Sequence, residues 1–220
     1  MIDVTSATSA ASDPPAAKAG DGYHHGDLPN ALRRAAVEVI EERGAGGFSL
    51  REVARRAGVS HTAPAHHFGD MKGLLTSVAE EGFAALHAAS EAAIGTSDDP
   101  VAQLTELGRA YVSMGTTHRG HCEVMFRTDI IDTEDPELMS CGLEAYGVLE
   151  SVVRRMIDDE HLSADVDEVT WLCWSTMQGL VQLAPKISMI AEAHGREAPV
   201  IDDLIARFTT LMVDGIRNAP

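Results

Sequence analysis

Ten histidines and three cysteines are the residues of this 220-residue chain best suited to metal chemistry. The candidate groupings are His24-His25, His66-His67 and the run His118-Arg119-Gly120-His121-Cys122. A zinc site needs three or four converging ligands, whereas adjacent histidines project to different sides of a helix. These groups read as structural or surface histidines, and neither a metal nor a cofactor is expected. Cys122, Cys141 and Cys173 have no metal-like spacing and read as reduced, buried thiols of a cytoplasmic protein. The sequence also shows no glycine-rich phosphate loop, no Ser/His/Asp set and no Glu-x-x-His pair, so catalysis is not expected. What the residues do offer is hydrogen bonding to an anionic polymer. The run from Phe48 to Phe68, FSLREVARRAGVSHTAPAHHF, places Ser49, Arg51, Ser60, His61, Thr62, His66 and His67 on two short helices and the turn between them.

The elements that position these residues can be read from periodicity. Leu28, Leu32, Ala35, Ala36, Val39 and Ile40 recur at helical spacing, and Gly44 ends that helix. Ser49-Leu50-Arg51-Glu52 matches a capping box, with the Ser hydroxyl and the Glu carboxylate each taking a free backbone N–H. Leu50, Val53, Ala54 and Ala57 form the buried face of a second helix, broken at Gly58, where a positive φ is expected. Thr62 is the expected cap of a third helix, because Pro64 then falls where its missing N–H matters little. Asp70 caps a long fourth helix, 71–93. Further helices start at Pro100, at Pro136, at about Val166 and at Pro199. Pro185 is expected to kink or end the helix from Val166. No strand pattern appears, so the chain is expected to be all-α.

Composition agrees. Hydrophobic residues make up 45% and aromatics 5%, which suits helices better than a β-sandwich. No apolar run approaches the ~18 residues of a membrane span, and the first 22 residues lack the basic and apolar regions of a signal peptide. Rich in Ala, Ser, Asp, Pro and Gly, residues 1–22 are expected to be a disordered tail. The net charge of −17 argues against a polyanionic partner until it is partitioned, because most of the acid lies beyond residue 86. Within 46–75, Arg51, Arg55, Arg56 and Lys72 outnumber Glu52 and Asp70, the correct but thin local sign for phosphate contact.

Residues 26–86 resemble the DNA-binding domain of the TetR family. The marks are Ala57-Gly58-Val59-Ser60, His67-Phe68, Leu74-Leu75, and Ser49 through Val53. Tyr23 to Leu28 resembles the start of helix 1 in one branch, whose C-terminal domain carries a Trp-His-Gly mark. Here that stretch is Trp174-Ser-Thr-Met-Gln178-Gly179, with Gln in place of His. The resemblance implies an N-terminal three-helix DNA-binding domain (26–86, helix-turn-helix 49–68) and a C-terminal helical effector-binding and dimerisation domain (87–220). It implies a homodimeric, cytoplasmic, non-membrane repressor that leaves a pseudo-palindromic double-stranded operator when a small-molecule effector binds. Carried over by position, Ser49 and Arg51 touch phosphate, and His61, Thr62 and Ala63 face base edges from behind Ser60. His66 and His67 lie toward the DNA backbone or the helix packing. Three departures thin the phosphate contacts: Ala65 stands where the family has an aromatic, Met71 where it has a basic residue (Lys72 follows), and no Arg-rich arm precedes Tyr23. The alternative is a degenerate member that dimerises but binds DNA weakly. Met125, Phe126, Tyr146, Trp174, Met177 and Gln178 are either effector-pocket lining or helical core. The wide apolar faces of the last two helices suggest burial against a partner as well as against the domain.

Overall fold

The computed structural model describes residues 27–218, so the tail 1–22 and the stretch Tyr23 to Gly26 lie outside the described residues. Those described form nine α-helices and one 3-10 turn. Helix α1 is Leu28–Arg43, α2 is Leu50–Arg56, α3 is Ala63–Phe68 and α4 is Met71–Ile94. There follow α5 (Pro100–Thr117), α6 (Arg119–Met125), α7 (Pro136–Asp159), α8 (Val166–Ala193) and α9 (Ile201–Arg217).

Aspartate side chains cap four of the helices. The side chains of Asp70, Asp99, Asp135 and Asp165 each accept from backbone N–H groups in the first turns of α4, α5, α7 and α8, satisfying donors that a helix cannot satisfy itself. Ser49 does not behave this way. It occupies the N-cap position of α2, but its hydroxyl makes no cap bond, and Glu52 is bound to arginines instead of reaching back. The capping box is therefore not formed, because three guanidinium groups compete successfully for its carboxylate. Asp70→Ala should cost about 1 kcal/mol and Ser49→Ala less than about 0.5 kcal/mol, read as shifts in the urea unfolding midpoint.

Pro64 is buried in the first turn of α3 with Thr62 at the N-cap position, as the missing N–H requires. Pro185 neither ends α8 nor lies at its edge: the helix continues to Ala193 with the proline ring exposed. Only the N–H that proline lacks is lost, and the carbonyl it would have met lies one turn back on a half-exposed stretch. The last helix begins at Ile201, two residues later than Pro199 suggests. Of the cysteines, Cys173 is buried, whereas Cys122 and Cys141 are half-buried, because the latter two sit at the edges of the faces they pack.

Helix α4 is the spine. It packs against α1, α3, α5, α6 and α7. Leu74, Leu75, Val78 and Ala79 bury against Leu32, Ala36, Val39 and Ile40 of α1, and the same cluster runs on through Leu86 to Met114, Val124 and Met125. A second cluster unites α5, α7, α8 and α9 around Leu107, Val152, Val153, Met156, Val169 and Val213. The core thus passes unbroken across residue 86, and α4 connects the helix-turn-helix to the C-terminal helices as one continuous helix.

Candidate functional site: a helix-turn-helix face and an apolar cavity

At the N-terminal end, α2 and α3 meet through Gly58, whose φ of +69° is one that side-chain-bearing residues rarely adopt. Val59 N–H donates to Ala54 O across this turn. The turn brings Ser49 and Arg51, from the start of α2, to the same shallow groove as Ser60 and His61, before α3. Thr62 and the histidines His66 and His67 are exposed; Ala63 is half-buried. Ser60 and Thr62 hydroxyls are 3.1 Å apart.

The charges behind this face are largely spoken for. Glu52 accepts from Arg55 (2.8 and 2.9 Å), from Arg56 (3.2 Å) and from Arg43 (3.2 Å). Hydrogen bonds from Arg55 and then Arg56 hold the Glu52 carboxyl down to about 2 against the opposing effect of desolvation. Arg56 also binds Glu42 and Glu38, and Lys72 pairs with Asp132 at 3.2 Å. Among the described residues of the helix-turn-helix, Arg51 is the guanidinium with no ion pair. Glu52→Gln removes the shared anion and releases Arg55 and Arg43 toward solvent. The slope of log affinity for duplex DNA against log salt should steepen by about 1–2, at ~0.9 per added phosphate contact, as read by anisotropy across a salt series.

The second site is a partly open apolar cavity between α4, α5, α7, α8 and α9 with a volume of about 80 Å³. Phe126, Tyr146, Trp174 and Met177 line it, while Met125 and Gln178 line an adjoining smaller recess with Phe126 and Tyr111. The aromatic wall is ordered edge to face: Phe83 stands perpendicular to Phe126 at 5.5 Å, and Phe126 and Tyr146 meet Trp174 at 5.5 and 6.0 Å. Trp171, 56% exposed, stacks on Trp174 from outside. Gln178 is fixed by a side chain, not by backbone. Trp174 Nε1 donates to Tyr111 Oη (3.0 Å), and Tyr111 Oη donates to Gln178 Oε1 (2.6 Å). Burial pushes the Tyr111 hydroxyl up to about 12, so it stays a donor at any physiological pH. Periodicity did not single out Phe83, Ser90, Gly108, Tyr111 or Phe208 as lining. Their only signal was a place on the same face as a neighbour three or four positions away.

The His118-His121-Cys122 run forms no ligand set. The imidazoles lie 5.9 Å apart, and Cys122 Sγ donates to Met114 O. No three His, Cys, Asp or Glu among the described residues are grouped as a metal ion needs. His121 instead packs between α6 and α4, its Nδ1 buried without a partner. No helix among the described residues is long and apolar enough to cross a membrane.

An N-terminal helix-turn-helix carried on an all-α C-terminal domain defines a class: the helical DNA-binding transcription regulators. The family described as "Bacterial regulatory proteins, tetR family" matches residues 32–78, and the "Tetracyclin repressor-like, C-terminal domain" matches residues 104–210, together more than half of the chain. The chain belongs to the TetR family. Among solved structures it is similar to a protein of unknown function from Rhodococcus sp. RHA1, with 28% identity and a TM-score of 0.74 over 89% of this chain and 98% of that one. PfmR of Thermus thermophilus, a TetR family transcriptional regulator, shares the fold at 17% identity, TM-score 0.66, over 84% and 98% of the two chains. FadR of Bacillus subtilis, solved in complex with stearoyl-CoA, does so at 18% identity, TM-score 0.62, over 85% and 98%. A search of curated proteins returned no match.

Proposed function

We propose that the chain is a homodimeric repressor that holds a pseudo-palindromic operator and lets go when a small molecule fills the cavity. The observation that carries this reading is α4 itself. Its first turns hold the joint with α3, and its later turns supply Phe83, Leu86 and Ser90 to the cavity wall. Helix α6 supports the same coupling. It ends at Phe126 in the cavity wall, while its Glu123 accepts the Ala45 N–H (2.5 Å) in the turn before α2. An effector that prefers one spacing of the two helix-turn-helix units shifts the population away from the spacing the major groove requires, about 34–36 Å for one DNA turn. The complex of FadR with stearoyl-CoA supports the use of this domain as a ligand receptor.

On DNA, Ser49 and Arg51 meet phosphate, and His61, Thr62 and Ala63 meet base edges from a turn set by Ser60. His66, His67 and Lys72 flank the contact, Lys72 only after leaving Asp132. The glutamate network makes the grip modest and its salt dependence shallow. Anisotropy titration of the full chain with DNA from upstream of its own coding region tests the reading. Saturable, sequence-dependent binding that weakens with salt is expected; equal affinity for scrambled DNA would sink it.

A further inference from the structure

We propose that the cavity takes an uncharged, lipophilic molecule whose hydrogen-bonding group meets Ser90, and that it keeps carboxylates, phosphates and ammonium groups out of its depth. This names the ligand class for the effector reading above and rests on it. Among the described residues, the wall contains no Lys, Arg, His, Asp or Glu. It is built from Phe, Trp, Leu and Met side chains, which favour apolar surface, and an unpaired charge buried among them has nothing to replace its water.

Several polar atoms of the wall are committed. Tyr111 accepts from Trp174 and donates to Gln178. Cys173 Sγ donates to Met212 Sδ at 3.2 Å, and burial pushes its thiol up to about 12, so no thiolate waits for a cation. Of the two buried hydroxyls in the wall, that of Thr209 donates to Ile205 O within its own helix. The other is Ser90, whose hydroxyl has no hydrogen bond among the described residues and whose oxygen is not sealed off from the cavity. A hydroxyl that lines the cavity without a protein partner is open to a bond from a ligand. A hydroxyl or carbonyl on an otherwise apolar ligand supplies the missing bond without bringing a charge.

The test uses the full-length Trp171→Phe chain without DNA, so that emission reports Trp174, with three probes of equal chain length: 1-decanol, decanoate and decyltrimethylammonium. At about pH 8, decanol is expected to shift the emission saturably, and both charged probes to bind at least about tenfold more weakly. Ser90→Ala, which removes a hydroxyl that the fold does not use, should weaken decanol about fivefold with unchanged thermal unfolding. Gly142 lines the cavity with nothing within 4 Å of a Cβ built on it. Gly142→Leu should therefore fill the site and abolish the shift in a folded protein. Charged probes that bind as tightly as decanol, an unaffected Ser90→Ala, or no response to decanol would each overturn the proposal. None of these outcomes involves DNA, so a failure of the regulator reading shows separately, in the operator titration.

Discussion

Gly73→Ala should unfold the DNA-binding end of the chain and abolish operator binding. A Cβ at Gly73 would lie 2.0 Å from Phe68 O and 3.2 Å from Phe68 C. The obstacle is backbone, so it cannot rotate aside as a side chain would. This carbonyl also accepts from Asp70 N–H at 2.9 Å, and Asp70 Oδ1 accepts from Gly73 N–H at 2.9 Å. Relieving the clash therefore opens the α3–α4 joint and takes the cap with it. Overpacking against fixed atoms together with the lost cap gives an expected cost of about 3 kcal/mol or more. Two glycines calibrate the argument. At Gly82 a Cβ meets Met125 Sδ at 2.6 Å, the end of a flexible side chain, so Gly82→Ala should cost less. At Gly142 it meets nothing, and Gly142→Ala in the middle of α7 should gain up to about 1 kcal/mol from helix propensity. Thermal unfolding of the three variants orders them; a wild-type melting temperature for Gly73→Ala would show that the joint is looser than its geometry.

The helix-turn-helix was legible in sequence because everything that builds it is local. A glycine at 58, a proline compatible only with the first turn of α3, and an aspartate three residues before Gly73 all act within one or two helical turns. At Glu52 the competition is local as well. The spacing that suits a capping box equally suits ion pairs to Arg55 and Arg56 three and four residues on, and sequence alone does not rank two claims on one carboxylate. The rest depended on distance. Lys72 meets Asp132 60 residues away, Ala45 meets Glu123 78 away, and Tyr111 meets Gln178 67 away. Such pairs are decided by how helices cross, which periodicity does not encode. Four members of the cavity wall were anticipated from residue type, since aromatics and Met on inward faces are natural lining. Ser90 gave no such signal. Its only clue is a spacing of four from Leu86, and its meaning depends on what the neighbouring helices leave unpaired.

In the proposed dimer, Leu211→Glu should separate the two copies into folded monomers and lower operator affinity by orders of magnitude. On α9, Ile205, Thr209 and Val213 are buried, while Leu211 is 60% exposed. On α8, Leu172, Leu183, Met189 and Ile190 are exposed as well, Met189 to 63%. Large exposed apolar side chains on these two helices are where we propose the two copies meet. A carboxylate placed in such a patch has no partner and strips apolar area from both copies of a two-fold contact, so a loss of at least about 3 kcal/mol in association is expected. Each copy alone can hold only one half-site, so the gain from joining two half-sites disappears with the dimer. The monomer should keep its fold, because Leu211 contributes little to the core of its own chain. Sedimentation and anisotropy on the same sample check both parts; a dimer with unchanged operator affinity would move the interface elsewhere. The position of the cavity adds a coupling. Trp174 and Met177 of α8 and Phe208 and Met212 of α9 line it from the same two helices that present the exposed apolar face. In the proposed dimer, a ligand that displaces these side chains would act on the contact that sets the distance between the two helix-turn-helix units. Conversely, Leu211→Glu should alter the affinity of the Trp174 site for a neutral lipophile even in the absence of DNA, because linkage between dimerisation and ligand binding is reciprocal.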